Sequence, residues 1–166
     1  LRIVSIHVDS MKYRAVSKTK FAEPLDEDAG REGSMTEGVV LLTCVELNDE
    51  FCPEEVVKSA VENILKRLDK IKCRRVMIYP YAHLSSGLAS PKRSLEILRS
   101  LEAALKDEGL EVTRAAFGWY KEFEMKSKGH PLADLSMTIC PKTNKTSDFN
   151  CHCPYCRSPL KKEELA

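Results

Sequence analysis

The residues with the widest chemical repertoire fall in three short stretches. In FGWYKEFEMKSKGHPLAD, residues 117–134, three aromatics surround a glycine and Lys121 follows them directly. The stretch then alternates with the period of a β-strand, Tyr120, Glu122, Glu124 and Lys126 on one side and Lys121, Phe123 and Met125 on the other. Lys121 therefore shares a face with side chains that normally point inward. A buried amine can serve as a fixed charge that orients water and steadies an oxyanion, or as a base whose pKa has fallen on burial; it can also simply snorkel to water. In YPYAHLSSGLASP, residues 79–91, His83 stands in a turn of apolar and small residues just past a strand, the usual seat of function on a rigid scaffold. A hydrogen-bonded loop histidine is the plain alternative. CHCPYC, residues 151–156, contains Cys153-x-x-Cys156, a thiolate spacing suited to zinc, with Cys151 and His152 next to it. A structural zinc needs four ligands and a second pair is missing, so zinc on Cys151, Cys153 and Cys156 competes with a flexible tail or the start of a truncated zinc knuckle.

These residues need a scaffold, and the sequence predicts one. Residues 2–8 and 11–17 read as two short strands joined by Asp9-Ser10 in an opening hairpin, and residues 18–37 as a polar, glycine-bearing loop. GVVLLTCVEL, residues 38–47, is β-branched enough for a buried strand. Pro53 followed by Glu54 and Glu55 starts a helix, whose apolar stripe runs Val56, Val57, Ala60, Val61, Ile64, Leu65, Leu68. VMIY is a strand stopped at Pro80. Ser90-Pro91 opens a second helix lined by Leu95, Leu98, Leu101 and Leu105 and closed by Gly109. Strands near 110–116, 119–128 and 135–139 complete an α+β fold with a largely antiparallel sheet covered by two helices. Residues 1–140 form the domain, and residues 141–166 a linker and Cys-rich tail with no core of its own.

With 26 basic and 25 acidic side chains, bulk charge gives no reason to expect nucleic acid. Any RNA contact must come from a local patch, and KRLDKIKCRR, residues 66–75, is the candidate, although a helix dipole also draws cations to a C-terminus. Seven cysteines, an odd number, with Cys44 and Cys73 in or beside apolar segments, argue for reduced core thiols rather than a disulfide framework. No apolar run approaches the roughly 20 residues of a membrane-spanning helix, and the first strand is too short and polar for a signal peptide. A soluble, cytoplasmic protein with no membrane association is expected.

Taken together and in this order, YPYAHLSSGLASP and FGWYKEFEMKSKGHPLADLS resemble the N-terminal editing domain of archaeal threonyl-tRNA synthetases, which shares its fold with D-aminoacyl-tRNA deacylases. The resemblance runs from Arg2 to about Ile139 and includes His7 and Asp9. It implies a homodimer that removes serine wrongly attached to threonine tRNA and can also hydrolyse D-aminoacyl esters, with no cofactor required. It places Pro80, Tyr81 and Ala82 as one wall of the aminoacyl pocket, and Phe117 and Tyr120 as the other, with Trp119 and His130 in the same motif and Val45 nearby. His83 would meet the aminoacyl-adenosine end and Lys121 the ester or its attacking water. Asp134, where the family has glutamate, would bond Lys121 or the substrate ammonium and favour the charged amine. The family is also thought to recruit the ribose 2′-hydroxyl of the terminal adenosine.

The chemistry suits such a substrate: an aminoacyl ester is already activated, so hydrolysis needs a positioned water and oxyanion stabilisation, without a serine or cysteine nucleophile. The need is equally physical, since binding rejects a missing methyl by only about 1–3 kcal/mol and a second sieve must supply the rest. The chain has no room for an ATP-binding catalytic domain, so it would act as part of a threonine-tRNA ligase or in trans, on the acceptor end of tRNA(Thr). A general D-aminoacyl-tRNA deacylase and a non-catalytic RNA- or metal-binding module are the alternatives.

Overall fold

The computed structural model describes residues 1–25 and 30–140. Its elements are β1 (Arg2–Lys18), β2 (Glu32–Cys44), α1 (Pro53–Ile71), β3 (Arg75–Pro80), α2 (Pro91–Asp107), β4 (Glu111–Arg114), β5 (Trp119–Ser127) and β6 (Asp134–Thr138), with short 3₁₀ turns at Leu47–Phe51 and Ala82–Leu84. The α+β class holds: two helices cover one face of a 6-stranded sheet of order β4-β3-β2-β1-β5, in which β6 also pairs β1. The pairings of β1 with β2, β5 and β6 are antiparallel. Those of β2 with β3 and β3 with β4 are parallel, because α1 and α2 carry the chain back across the sheet between them. No helix among the described residues is long and apolar enough to cross a membrane.

The expected opening hairpin is instead one 17-residue strand. A two-residue hairpin turn needs positive φ, and the only described non-glycine residues with it are Glu37 and Lys72, not Asp9 or Ser10. What happens at Asp9 is a bulge against β5, between the pairs Val8↔Ser127 and Ser10↔Lys126. Before it Val4, Ile6 and Val8 face the side of the sheet away from the helices; after it Met11 and Tyr13 do. The same reversal occurs in β2 around Glu37, with Met35 on that face before it and Val40 and Leu42 after it. Lys128 ties the two turning points together, its Nζ 2.6 Å from Asp9 and 2.9 Å from Glu37. β2 also begins earlier than its composition suggests, since residues 32–36 pair along the outer half of β1. Gly33 is needed there: a Cβ would stand 2.3 Å from the ring of its cross-strand partner Tyr13.

The helix-side core joins Ile3, Val39, Leu41, Val45, Val76 and Ile78 of the sheet region to Val56, Ala60, Ile64 and Leu68 of α1 and Ile97, Leu98, Leu101 and Leu105 of α2. The helix starts and the α1 stripe are as predicted, whereas on α2 the core takes Ile97 with Leu98, Leu101 and Leu105 and leaves Leu95 half-buried. The other face carries Val8, Met11, Met77 and Tyr79. Here the sheet curls. In a flat sheet β3 and β5, with β2 and β1 between them, would lie about 14 Å apart, yet the rings of Tyr79 and Phe123 meet at 5.6 Å between centroids. The concave face so formed positions the groups described next.

Candidate active site

At the end of β3, Tyr81 prolongs the ladder with its N–H 2.8 Å from Thr43 O. The chain then makes the Ala82–Leu84 turn that carries His83, which is exposed, its ring edge-on to Tyr81 at 5.1 Å. Two anchors hold this loop. The buried Glu46 carboxylate accepts from Ser85 Oγ at 2.7 Å, and the Leu47 and Ala89 N–H groups bond Gly87 O and Val45 O. The Cys44 thiol lies 3.7 Å from Ala82 O. Burial, with Glu46 next in effect, pushes that thiol up to about 11, so it stays protonated and is no nucleophile at neutral pH.

Lys121 rises from β5 on the concave face. Its Nζ donates to Ala116 O at 2.8 Å and Trp119 O at 3.0 Å and stands 5.1 Å from the centre of the Tyr79 ring. Burial brings the amine down to about 8, opposed only by the charge of Glu23. The turn that supplies the carbonyls depends on Gly118, whose φ is +75° and whose missing Cβ would lie 2.6 Å from Ala22 Cα. Glu23 stitches this turn in place. Its carboxylate is 8% exposed and accepts from Arg114 at 2.6 and 3.1 Å, from the Phe117 N–H at 2.6 Å, and from Arg99 at 3.4 Å. Its backbone N–H bonds Phe117 O, and its carbonyl accepts from Trp119 Nε1 at 2.9 Å. Burial alone would raise the Glu23 carboxyl, but Arg114 and the Phe117 N–H outweigh it and hold it below the ordinary range.

A run of contacts links the two motifs: Lys121 over Tyr79, Tyr79 against Tyr81 at 6.4 Å, and Tyr81 against His83. Tyr81, His83 and Lys121 thus share one end of the concave face with Tyr79, and Ala82 adjoins it through Cys44, while Pro80, alternating with Tyr79 in β3, turns to the other side of the sheet. The other sequence-predicted residues do not join them. Val45 is in the helix-side core and Phe117 packs against it; the pleat turns Cys44, not Val45, toward the site. Tyr120 alternates with Lys121, so its ring, 64% exposed, lies on the opposite face of β5. Trp119 is occupied in fixing Glu23 and in stacking with Arg31. Within this single chain His130 and Asp134 lie at the far end of the sheet. Asp134 pairs with Ile6 and Lys121 with Ala15, nine positions or about 30 Å apart along β1. Asp134 interacts with Arg67, and His130 Nε2 is 2.9 Å from His7 Nδ1. The carboxylate that acts on Lys121 is therefore Glu23 rather than Asp134.

The basic run is divided in the same way. Arg67 turns inward to Leu132 O and Ala133 O, while Lys72, Arg74 and Arg75 line a groove of about 790 Å³ with His7 and Lys128, away from Lys121. No group of three or more His, Cys, Asp or Glu side chains among the described residues could hold a metal ion. Cys151, Cys153 and Cys156 lie outside the described residues. What remains at the site is an amine with a perturbed pKa, an imidazole and a wall of rings, with Ser85 engaged by Glu46 and Cys44 protonated. Such a set can orient water and stabilise an oxyanion.

Residues 1–139 match the family model described as the archaea-specific editing domain of threonyl-tRNA synthetase. The chain is 47% identical over 139 residues to the threonine–tRNA ligase of Methanobrevibacter smithii, covering 84% of this chain and 23% of that protein. It is 43% identical over 165 residues to that of Pyrococcus horikoshii (99% and 25%), and 40% identical over 148 residues to that of Methanopyrus kandleri (89% and 23%). It thus spans about a quarter of the length of these relatives. Among solved structures, the c-Myc DNA unwinding element binding protein has the same fold, with a TM-score of 0.62 over 83% of this chain and 98% of that one, at 11% identity.

Proposed function

Since the chain belongs to the family of archaea-specific editing domains of threonyl-tRNA synthetase, we propose that it hydrolyses the ester of serine misattached to tRNA(Thr), with Lys121 and His83 as the reacting pair. The observation that carries this reading is the seat of the Lys121 amine, on the same ring-lined surface as His83. Two carbonyls, Ala116 O and Trp119 O, take two N–H groups of the amine. An ammonium has one N–H left over, and a neutral amine has a lone pair in that place. The same geometry therefore offers either a donor for the ester carbonyl or a base for the attacking water.

With the amine at about 8, roughly ten molecules are protonated for each neutral one at pH 7. The cationic role dominates there: the ammonium polarises the carbonyl and stabilises the oxyanion while water attacks. His83, exposed on its turn, meets the terminal nucleoside. The acceptor end of tRNA, the remainder of a synthetase and a second copy of this chain are the partners of this reading, and deacylation itself needs no cofactor.

Deacylation of L-seryl-, L-threonyl- and D-aminoacyl-tRNA by the wild type, Lys121→Met and His83→Ala tests the assignment. Rapid loss of serine with threonine retained, reduced at least tenfold in each variant, is the expected pattern. Faster loss of D-aminoacyl esters than of serine would make this a general D-aminoacyl-tRNA deacylase. Full activity in both variants would remove these two residues from the mechanism.

A further inference from the structure

Glu23 lies in the connection between β1 and β2, in a stretch that reads as a polar loop, yet it is among the few buried carboxylates. Its backbone N–H, backbone carbonyl and carboxylate all engage residues 114–119, the segment whose Ala116 and Trp119 carbonyls seat the Lys121 amine. We propose that Glu23 is the positioning residue of Lys121, fixing from behind the turn the cradle of carbonyls that holds the amine. This rests on the reading of Lys121 as the working amine. It adds a residue that touches neither ester nor water.

β1, paired with Lys121 at Ala15, puts the Tyr13 ring on the same face, against Tyr79. Tyr79 of β3 offers a ring, the β4–β5 turn offers two carbonyls, and the β1–β2 connection offers Glu23. Behind Glu23 stand Arg114 of β4 and Arg99 of α2, and Glu102 of α2 in turn holds Arg114. These arginines drain part of the Glu23 charge, so its pull on Lys121 is moderated without being lost. Asp134 takes no part.

Two substitutions move the amine in opposite directions. Glu23→Gln keeps the shape and an acceptor for the Phe117 N–H but removes the charge, so the Lys121 titration midpoint falls by about one pH unit. Arg99→Gln removes a cation whose side chain is 59% exposed and leaves Glu23 less compensated, so the midpoint rises by about 0.3 unit. The measurement is the side-chain NMR titration of the lysine-labelled 166-residue chain, with Lys121 assigned by its absence in Lys121→Met and the fold checked by amide spectra. Opposite shifts support the proposal, and an unchanged midpoint in both folded variants overturns it. Should Glu23→Gln not fold, the Arg99→Gln arm decides alone: a rise supports Glu23, no change rejects it. Parallel deacylation assays separate the two levels of inference. A midpoint that moves in a protein that cleaves no aminoacyl ester keeps Glu23 as the tuning group and ends the hydrolase reading.

Discussion

Replacing Lys121 by methionine should make the protein more stable at neutral pH while abolishing turnover. The amine goes from an ordinary 10.5 to about 8 on folding because it is buried. Below pH 8 folding must therefore desolvate a charge that the unfolded chain keeps in water, which costs about 3 kcal/mol at 1.36 kcal/mol per unit. Methionine removes that cost. It also deprives Ala116 O and Trp119 O of their donor, a loss of about 1 kcal/mol. The net gain at pH 7 is about 2 kcal/mol, or a rise of roughly 6–8 °C in Tm for a protein of this size. Because the folded state binds fewer protons than the unfolded one between pH 8 and 10.5, wild-type stability climbs through that window, and a chain lacking the amine does not share the climb. The advantage of the variant thus shrinks by about 3 kcal/mol and changes sign near pH 10. Urea unfolding followed by circular dichroism, on both proteins at pH 7, 8, 9 and 10, measures it. A stability difference that does not vary with pH would show that Lys121 is not a buried, perturbed amine, and the site reading would fall with it.

Other perturbations probe the remaining parts. Deacylation should be level below about pH 7, fall to about half near 8 and decline tenfold per pH unit above it, since the cationic form of Lys121 acts and is lost as pH rises through about 8; a rate that instead climbs to a plateau above 8 identifies the neutral amine as the base. Gly118→Ala should cost roughly 2–3 kcal/mol and most of the activity, because φ is +75° and the added Cβ meets Ala22 backbone at 2.6 Å; an unchanged melting curve would contradict the fit of that turn. Cys44→Ala should retain deacylation within about twofold, the thiol being pushed up to about 11 and only about one in ten thousand ionised at pH 7; a hundredfold loss would reopen covalent catalysis. Asp134→Asn should leave the Lys121 titration unmoved, as the two residues pair with β1 at Ile6 and Ala15.

How much of this could be read in advance depended on whether the signal was local. Both helices were legible because Pro53 and Pro91 occupy first helical turns and the apolar stripes repeat within one element. β1 was misread because its phase reverses at Asp9, where inward residues pass from Val4, Ile6 and Val8 to Met11 and Tyr13. A slip of one residue in a period of two looks like a break between two strands. Lys121 and His83 were visible because each violates a local rule. Val45 and Tyr120 came to the pocket through the family resemblance, whereas the alternation itself sets Tyr120 opposite Lys121, as the structure does, and the pleat turns Cys44 rather than Val45 to that face. Glu23 carried no local signal, since its partner Arg114 is 91 positions away.

The displacement of Asp134 from Lys121 changes the chemistry, not just the map. A carboxylate bonded to the amine would stabilise the ammonium and hold it protonated well above neutrality. At Glu23 the negative charge instead lies behind the turn, bonded to Arg114, Arg99 and the Phe117 N–H rather than to the amine. The two groups that do bond the amine are carbonyls, which accept N–H from its charged and neutral forms alike. Burial therefore prevails and the amine titrates near 8. An amine at that point is cationic enough at pH 7 to stabilise an oxyanion and close enough to its midpoint to exchange a proton at little cost. The edge-on and tilted rings of Tyr13, Tyr79 and Tyr81 supply the low-polarity wall that makes this possible, and the sheet must curl to bring Tyr79 beneath Lys121. Flattening the sheet, for instance by Gly33→Val, which would drive the Tyr13 ring from its place beside Tyr79, should return Lys121 toward 10.5 as well as destabilise the fold.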